Sequence, residues 1–287
     1  MSTPQFTPLV EVHELQRFYR RPLRRRHIAL DRVTCALRPG VVNALLGHNG
    51  AGKTTLLRIL LGQLRLHGGQ LRWRSPRPSC RYLPENGFLE PSLSATAWAP
   101  ALGTTQAQLA AMANQLGVDH LRHRPARTLS RGERRRCELA LVLAGPAELY
   151  VLDEPAAGLD PLHLEYLKAV VASLVQKGST VLLSTHLLRE WENSVGHVVL
   201  LHRGRVLLEE ELAALLARHR LWVPTTASPP PLPREAFPLP GRAVAPAHVP
   251  PPSGWSVQPA TLADVFLKET ADDRTPLRSS DVLPPRG

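Results

Sequence analysis

The stretch Gly47-His48-Asn49-Gly50-Ala51-Gly52-Lys53-Thr54-Thr55 fits the spacing G-x-x-x-x-G-K-[ST], which sets a lysine and a hydroxyl at the end of a glycine-rich turn. Before it, Val41-Val42-Asn43-Ala44-Leu45-Leu46 is short, apolar and partly β-branched, as a buried strand is. After it, Leu56, Leu57, Ile59, Leu60 and Leu61 recur at helical spacing, so the glycines lie in a strand-to-helix turn. Lacking Cβ atoms, they let successive backbone N–H groups turn inward on a polyphosphate, and the helix N-terminus adds the positive end of its dipole. In such a turn Lys53 reaches the β- and γ-phosphates as a point charge, and the Thr54 hydroxyl ligates Mg²⁺. A glycine-rich surface turn with a stray lysine would need neither that strand nor that helix.

Two further apolar runs end in polar residues. Leu149-Tyr150-Val151-Leu152 leads into Asp153-Glu154-Pro155, a buried strand delivering two carboxylates at its C-terminal end, where the ligand sites of α/β sheets lie. Alternation sends the two side chains to opposite faces, so they take different tasks. Asp153 suits Mg²⁺ through water, and Glu154 suits polarising an attacking water as general base. Thr180 to Thr185 is a second such strand and ends at His186, whose neutral imidazole can hydrogen-bond a γ-phosphate or the attacking water. Alone, a histidine at a strand end is usually inert. A helix from about Pro161 to Gln176 joins the two strands as a right-handed crossover.

Elsewhere, Val10 to Tyr19 and Ile28 to Leu37 alternate apolar and polar residues about a basic turn, which predicts paired antiparallel strands. Tyr19 either stacks on an adenine or packs on the sheet. Gln70 to Arg74 reads as a short strand, as does Arg81-Tyr82-Leu83, which Pro84 stops before Glu85. That carboxylate is an outer partner of Mg²⁺, a sensor of a partner, or simply solvated. Ser94 to Val118 reads as helical, with breaks at Pro100 and Gly103. In Thr128-Leu129-Ser130-Arg131-Gly132-Glu133, Ser130 is a natural N-cap and Glu133 holds the capping-box position of a helix to about Ala144. The same place is an anion site, although capping alone accounts for the serine.

Leu207 to Arg220 predicts a helix, and Pro224 to Pro259, dense in proline without a repeat, predicts a disordered or polyproline linker. A final helix then packs Leu262, Val265 and Phe266 on the body, ahead of a loose tail after Thr270.

Composition narrows the class. The 287 residues, 43% hydrophobic and 21% charged, suffice for one large core with a subdomain or tail. No apolar run approaches the roughly 18 to 20 residues of a membrane helix, and Met1-Ser2-Thr3-Pro4 opens neither a signal peptide nor a myristoylation site. The expectation is a cytosolic chain unless a partner holds it at a membrane. Cys35, Cys80 and Cys137 are odd in number and widely spaced, against a disulfide framework or zinc site. The net charge of +11 gathers in Arg20, Arg21, Arg24, Arg25 and Arg26 and in Arg131, Arg134, Arg135 and Arg136. That raises nucleic acid or an anionic membrane as partners, or plain solvated faces. No aromatics interleave with the clusters, which counts against a grip on single strands.

Five segments in this order resemble the ATP-binding-cassette (ABC) ATPases, the nucleotide-binding domains of ABC transporters. The Walker A loop is Gly47 to Thr55, the signature Leu129 to Glu133, and Walker B with its catalytic glutamate Leu149 to Glu154. The D-loop is Gly158-Leu159-Asp160-Pro161 and the H-loop Ser184-Thr185-His186. The resemblance covers about Val10 to Glu211. It implies an α/β fold, a P-loop NTPase core with an antiparallel β-subdomain and a helical subdomain inserted at about 88–144. The implied division is 1–220 for the ATPase domain, 221–260 for the Pro-rich linker and 261–287 for a short C-terminal helix and tail.

The resemblance also implies ATP and Mg²⁺ as cofactors, with Tyr19, Gly47, His48, Asn49, Gly50, Ala51, Gly52, Lys53, Thr54 and Thr55 around the nucleotide. Thr54, Glu85 and Asp153 attend the metal, and Glu154, His186 and Lys53 perform the chemistry. Ser130 and Gly132 bind the γ-phosphate of a second chain's ATP, so two copies clasp two nucleotides head to tail in an isologous dimer. Lacking a span of its own, the chain is expected at the inner face of the cell membrane, driving a separate permease and not nucleic acid. The rival is a soluble cassette ATPase acting on nucleic acid or ribosomes. Glu85 stands where many members have Gln, Arg131 replaces the first signature Gly, and Glu133 replaces the signature Gln. Thr261-Leu262-Ala263-Asp264-Val265-Phe266-Leu267 is similar to the helix that closes drug-export-type cassettes, and "LLGHNGAGKTT" with "YLPENGF" is similar to the copper-maturation type.

Overall fold

A computed structural model describes residues 7–19, 27–74, 76–226 and 230–271. The basic turn Arg20 to Arg26, the opening Met1 to Pro4 and the tail beyond residue 271 lie outside the described residues. The chain divides into two units, 1–213 and 214–287.

In the first unit, β1 (Val10–Tyr19) and β2 (His27–Leu37) pair antiparallel, and β4 (Gly68–Trp73) joins the other edge of β1 to make a three-stranded sheet. These are the alternating stretches the sequence predicts. A six-stranded sheet runs β5 (Cys80–Leu83), β6 (Leu149–Asp153), β7 (Thr180–Thr185), β3 (Val42–Leu46), β8 (His197–His202), β9 (Arg205–Glu211). Its first five strands are parallel and β9 is antiparallel. Strands β3, β6 and β7 are buried at every residue, which is why they read as continuous apolar runs and not as alternation.

Helix α1 (Lys53–Leu60) follows β3 and buries Leu56, Leu57, Ile59 and Leu60 in a core shared with Leu45, Val151, Leu182 and Val199. Each such side chain contributes roughly 1.5–3 kcal/mol on leaving water. Between β5 and β6 lie α2 (Ala95–Trp98), α3 (Gln106–Gln115) and α4 (Arg131–Ala144). Helix α5 (Pro161–Gln176) connects β6 to β7, and α6 (Leu188–Trp191) follows β7.

The register of the parallel strands fixes where chemistry gathers. Leu46 pairs with Thr185 and Asp153 pairs with Ser184. The C-terminal ends of β3, β7 and β6 therefore stand side by side, and the glycine-rich turn, His186 and Glu154 leave the sheet from one edge.

Two expectations fail toward the C-terminus. The helix expected over Leu207 to Arg220 is instead β9, then α7 (Leu212–Ala217), then β10 (His219–Pro224). Along β9, exposed and half-buried residues alternate with the period of a strand. The expected linker over 221–260 is folded. There β10, β11 (Phe237–Leu239), β12 (Arg242–Pro246) and β13 (Trp255–Pro259) form an antiparallel sheet in the order β11-β12-β10-β13. Its prolines fall where a missing N–H costs least: Pro224 and Pro246 end strands, and Pro238 and Pro259 lie in the edge strands. Trp222, Ala243 and Ala245 form its core, each at 0% exposure. Helix α8 (Leu262–Thr270), capped by Thr261 with Asp264, buries Leu262, Val265 and Phe266 and packs against β11 and β12.

Candidate active site

A cavity of about 300 Å³ opens at that edge of the sheet. From the glycine-rich turn it is lined by His48, Asn49, Gly50, Gly52, Lys53, Thr54 and Thr55. Asp153 and Glu154 line it from the end of β6, Glu85 from the loop after β5, and Tyr19, His27 and Ala29 from the strands β1 and β2. Gly47 and Ala51 shape the turn without lining the cavity: Ala51 is buried and its N–H donates to the His48 carbonyl at 3.1 Å. Gly52 has φ +108°, and a Cβ there would meet the Ala29 carbonyl at 2.6 Å, so glycine is required twice over. It caps α1 without a side-chain bond, so the first N–H groups of that helix are left for an anion.

Lys53, 7% exposed, donates from Nζ to the Gly47 carbonyl at 2.6 Å and lies 3.6 Å from Glu154 Oε1. The Thr54 hydroxyl donates to Asp153 Oδ2 at 3.0 Å, and Ser184 Oγ donates to Asp153 Oδ1. Thr54 and Asp153 thus offer paired hard oxygens at the mouth of an anion cradle, a donor set that fits Mg²⁺ arriving with a polyphosphate. Among the described residues no cluster of three or more His, Cys, Asp or Glu could hold a metal by itself.

Glu154 is buried, and its other oxygen, Oε2, lies 2.9 Å from Nδ1 of the half-exposed His186. Its backbone is left-handed, φ +48°, a conformation that non-glycine residues hold only when several contacts impose it. The contacts are here: its N–H is shared between the carbonyl and the hydroxyl of Ser184, each at 3.1 Å, and its carbonyl accepts from Arg135 at 2.9 Å. This kink turns Glu154 toward Lys53 and His186 while Asp153 faces Thr54; Glu154 lies past the end of β6, so its left-handed backbone and not strand alternation sets its direction, and both carboxylates line one cavity.

Tyr19 lines the cavity with its hydroxyl 3.5 Å from Thr55 Oγ1, and the Arg17 guanidinium lies 5.0 Å over its ring.

Ser130 and Gly132 do not line this cavity; they sit at the start of α4. The capping box forms as expected: Glu133 N–H donates to Ser130 Oγ at 3.3 Å, and the Ser130 N–H donates to Glu133 Oε2 at 2.7 Å. Those bonds hold the Glu133 carboxyl below the usual range. Asp160 caps α5 through the His163 N–H at 3.0 Å and lies 2.6 Å from His163 Nδ1, which lowers its pKa too.

Three arginines of the second cluster are engaged within the fold and only Arg131 of the four is exposed. Arg134 donates to Glu138 and to the Leu89 carbonyl, Arg136 reaches His163, and Arg135 is buried at 5% exposure. His27 and Ala29 contribute to the site without having been singled out, and follow the basic turn at the start of β2. Ser184 and Arg135, named in the sequence only within the H-loop and an arginine cluster, take on particular tasks here: Ser184 donates to the Asp153 carboxylate, and Arg135 donates to backbone carbonyls distant in sequence.

Comparison with known proteins agrees with this geometry. The family described as "ABC transporter" matches residues 30–157. An uncharacterized ABC transporter ATP-binding protein of Synechocystis is 31% identical over 227 residues, 72% of this chain and 64% of that protein. The lantibiotic transport ATP-binding protein SrtF of Streptococcus pyogenes is 30% identical over 192 residues, 63% of this chain and 84% of that protein. A solved ATP-binding subunit of an ABC transporter superposes with TM-score 0.64 at 26% identity, covering 72% of this chain and 91% of its own.

Proposed function

This chain belongs to the ABC transporter ATP-binding family as an ATPase subunit, and from that premise we propose that it hydrolyses MgATP to drive a separate membrane permease, in the direction of export. The observation that carries the chemistry is the position of Glu154, with Lys53 at 3.6 Å on one carboxylate oxygen and His186 at 2.9 Å on the other. Lys53 now faces a carbonyl and a carboxylate, oxygen acceptors like those of a phosphate, so incoming β- and γ-phosphates take over its donors and release Glu154 toward water. Glu154 then accepts a proton from the attacking water, and His186 holds the carboxylate's aim through Nδ1. Thr54 and Asp153, with Glu85 beyond them, would hold Mg²⁺, which would neutralise charge on the phosphates. Tyr19 backs the adenine.

Ser130 and Gly132 belong, in this reading, to the nucleotide of a second copy in a head-to-tail homodimer. Ser130 is exposed and Gly132 half-buried at the start of α4, both away from their own cavity, which supports that assignment. No described helix is long and apolar enough to cross a membrane. In this reading the permease is separate and the chain works at the cytoplasmic face of the membrane. Export rests on the likeness of the α8 sequence to drug-export-type cassettes.

The test is phosphate release by the purified chain with MgATP, alongside Glu154→Gln. Wild type should hydrolyse; the variant should bind MgATP, fail to turn over and accumulate an ATP-dependent dimer. A wild-type chain that binds no MgATP, or a trapped variant that stays monomeric, contradicts the proposal.

A further inference from the structure

Helix α4 carries a buried ion pair that reaches both sides of the catalytic turn. Arg135 is 5% exposed and Glu138 2% exposed, with Arg135 Nη1 3.8 Å from Glu138 Oε2. The same Nη1 donates to the Pro84 carbonyl at 2.7 Å, immediately before Glu85. Nη2 donates to the carbonyls of Asp153 at 2.6 Å and Glu154 at 2.9 Å. Glu138 Oε1 takes the far end of the same loop, accepting from the N–H groups of Phe88 and Leu89, both at 3.0 Å. Gly87, at φ +74°, lets the loop lie on that carboxylate, since a Cβ there would stand 2.4 Å from Glu138 Oε1.

A planar guanidinium donates through a rigid fork, which suits three carbonyls held in fixed relation. Buried carbonyls of turns have few other partners, and an unmade bond at such a site is costly. Glu154 adds a second demand, because its left-handed φ must be imposed from outside, and the Arg135 bond to its carbonyl is one of the few contacts doing so.

We infer that Arg135 is a positioning residue for the hydrolytic step, fixing the backbone that aims Glu154 and locking it to the loop carrying Glu85, so that a movement of either is felt by the other. Glu138 is the loop's second anchor. Neither side chain touches the cavity, so both act through other residues. The inference rests on the reading of Glu154 as the group that activates water.

The experiment compares Arg135→Gln and Arg135→Lys with wild type, measuring turnover at saturating MgATP, MgATP affinity and thermal unfolding. Arg135→Gln is expected to lower kcat by about 10- to 100-fold, the scale of a misplaced catalytic group, with a much smaller change in MgATP affinity, because Lys53 and Thr54 are untouched while the backbone of Asp153 and the loop of Glu85 lose one bond each. Arg135→Lys keeps the charge with fewer and less directed donors, and should recover part of the rate. Turnover at the wild-type level in folded Arg135→Gln overturns the inference, as does a parallel loss of kcat and affinity. Failure of both variants to fold makes Arg135 a core support and also overturns it. If wild type itself shows no hydrolysis, the reading of Glu154 falls first and the inference with it, an outcome separate from the other three.

Discussion

His186 Nδ1 stands 2.9 Å from Glu154 Oε2, although β7, which ends at Thr185, and β6, which ends at Asp153, meet only through their parallel register. A half-exposed imidazole therefore braces a buried carboxylate. His186→Ala should lower turnover by about 10²-fold or more while leaving MgATP affinity near wild type, because the brace acts on the proton acceptor and not on the phosphate cradle. Steady-state kinetics beside equilibrium nucleotide binding decides it, and a change confined to KM would remove His186 from the chemistry.

The Thr54 hydroxyl at 3.0 Å from Asp153 Oδ2 makes a different forecast. Thr54→Val keeps the shape and deletes the hydroxyl, so the Mg²⁺ concentration at half-maximal turnover should rise about 10-fold or more. Chelation with EDTA should abolish hydrolysis by the wild type, and added Mg²⁺ should restore it. Turnover that survives chelation would rule out a metal-dependent site.

How far the sequence carried the site follows from which atoms do the work. Lys53, Thr54, Asp153 and Glu154 were legible because their spacing against glycines and apolar strands is local, and the sheet edge that unites them follows from three buried strands. Arg135 was not legible, since its partners are the carbonyls of Pro84, Asp153 and Glu154, and any residue offers a carbonyl. Within an arginine cluster it looked like surface charge. The second sheet was hidden for another reason. Proline density between Pro224 and Pro259 outweighed short strands whose prolines sit only at ends and edges. Over Leu207 to Arg220 the leucine spacing suited a helix, whereas pairing of β9 with β8 made Arg205–Glu211 a strand.

His197 makes stability depend on pH. Burial, then the Arg38 charge, lowers its pKa from the usual 6.5 to about 4, with Glu209 Oε1 3.8 Å from its Nε2. Because the folded value lies below the unfolded one, the contribution is complete above about pH 6.5 and is lost as pH falls toward about 4, up to about 3 kcal/mol. Glu209, raised by burial, acts in the opposite sense within the carboxylate range and flattens the lower end. Denaturation midpoints should therefore fall between about pH 7 and pH 5.5, and His197→Gln, though less stable throughout, should lose part of that slope, His219, whose pKa burial also lowers, keeping a share of it. An equal slope in both proteins would acquit His197.

Trp222 separates the two units experimentally. It is fully buried among Ala236, Ala243 and Ala245, with the half-buried Leu232, Val249 and Trp255 packed against the same cluster. Trp222→Ala should cost its unit about 3–5 kcal/mol through the cavity it leaves. Every residue lining the nucleotide cavity belongs to the first unit, the last of them being Glu154. MgATP affinity should accordingly stay at the wild-type value at temperatures where the β10–β13 sheet of the variant has already melted. Hydrogen exchange at 219–259 beside nucleotide titration reads both quantities on one sample, and affinity lost in step with that sheet would show that the cradle depends on it.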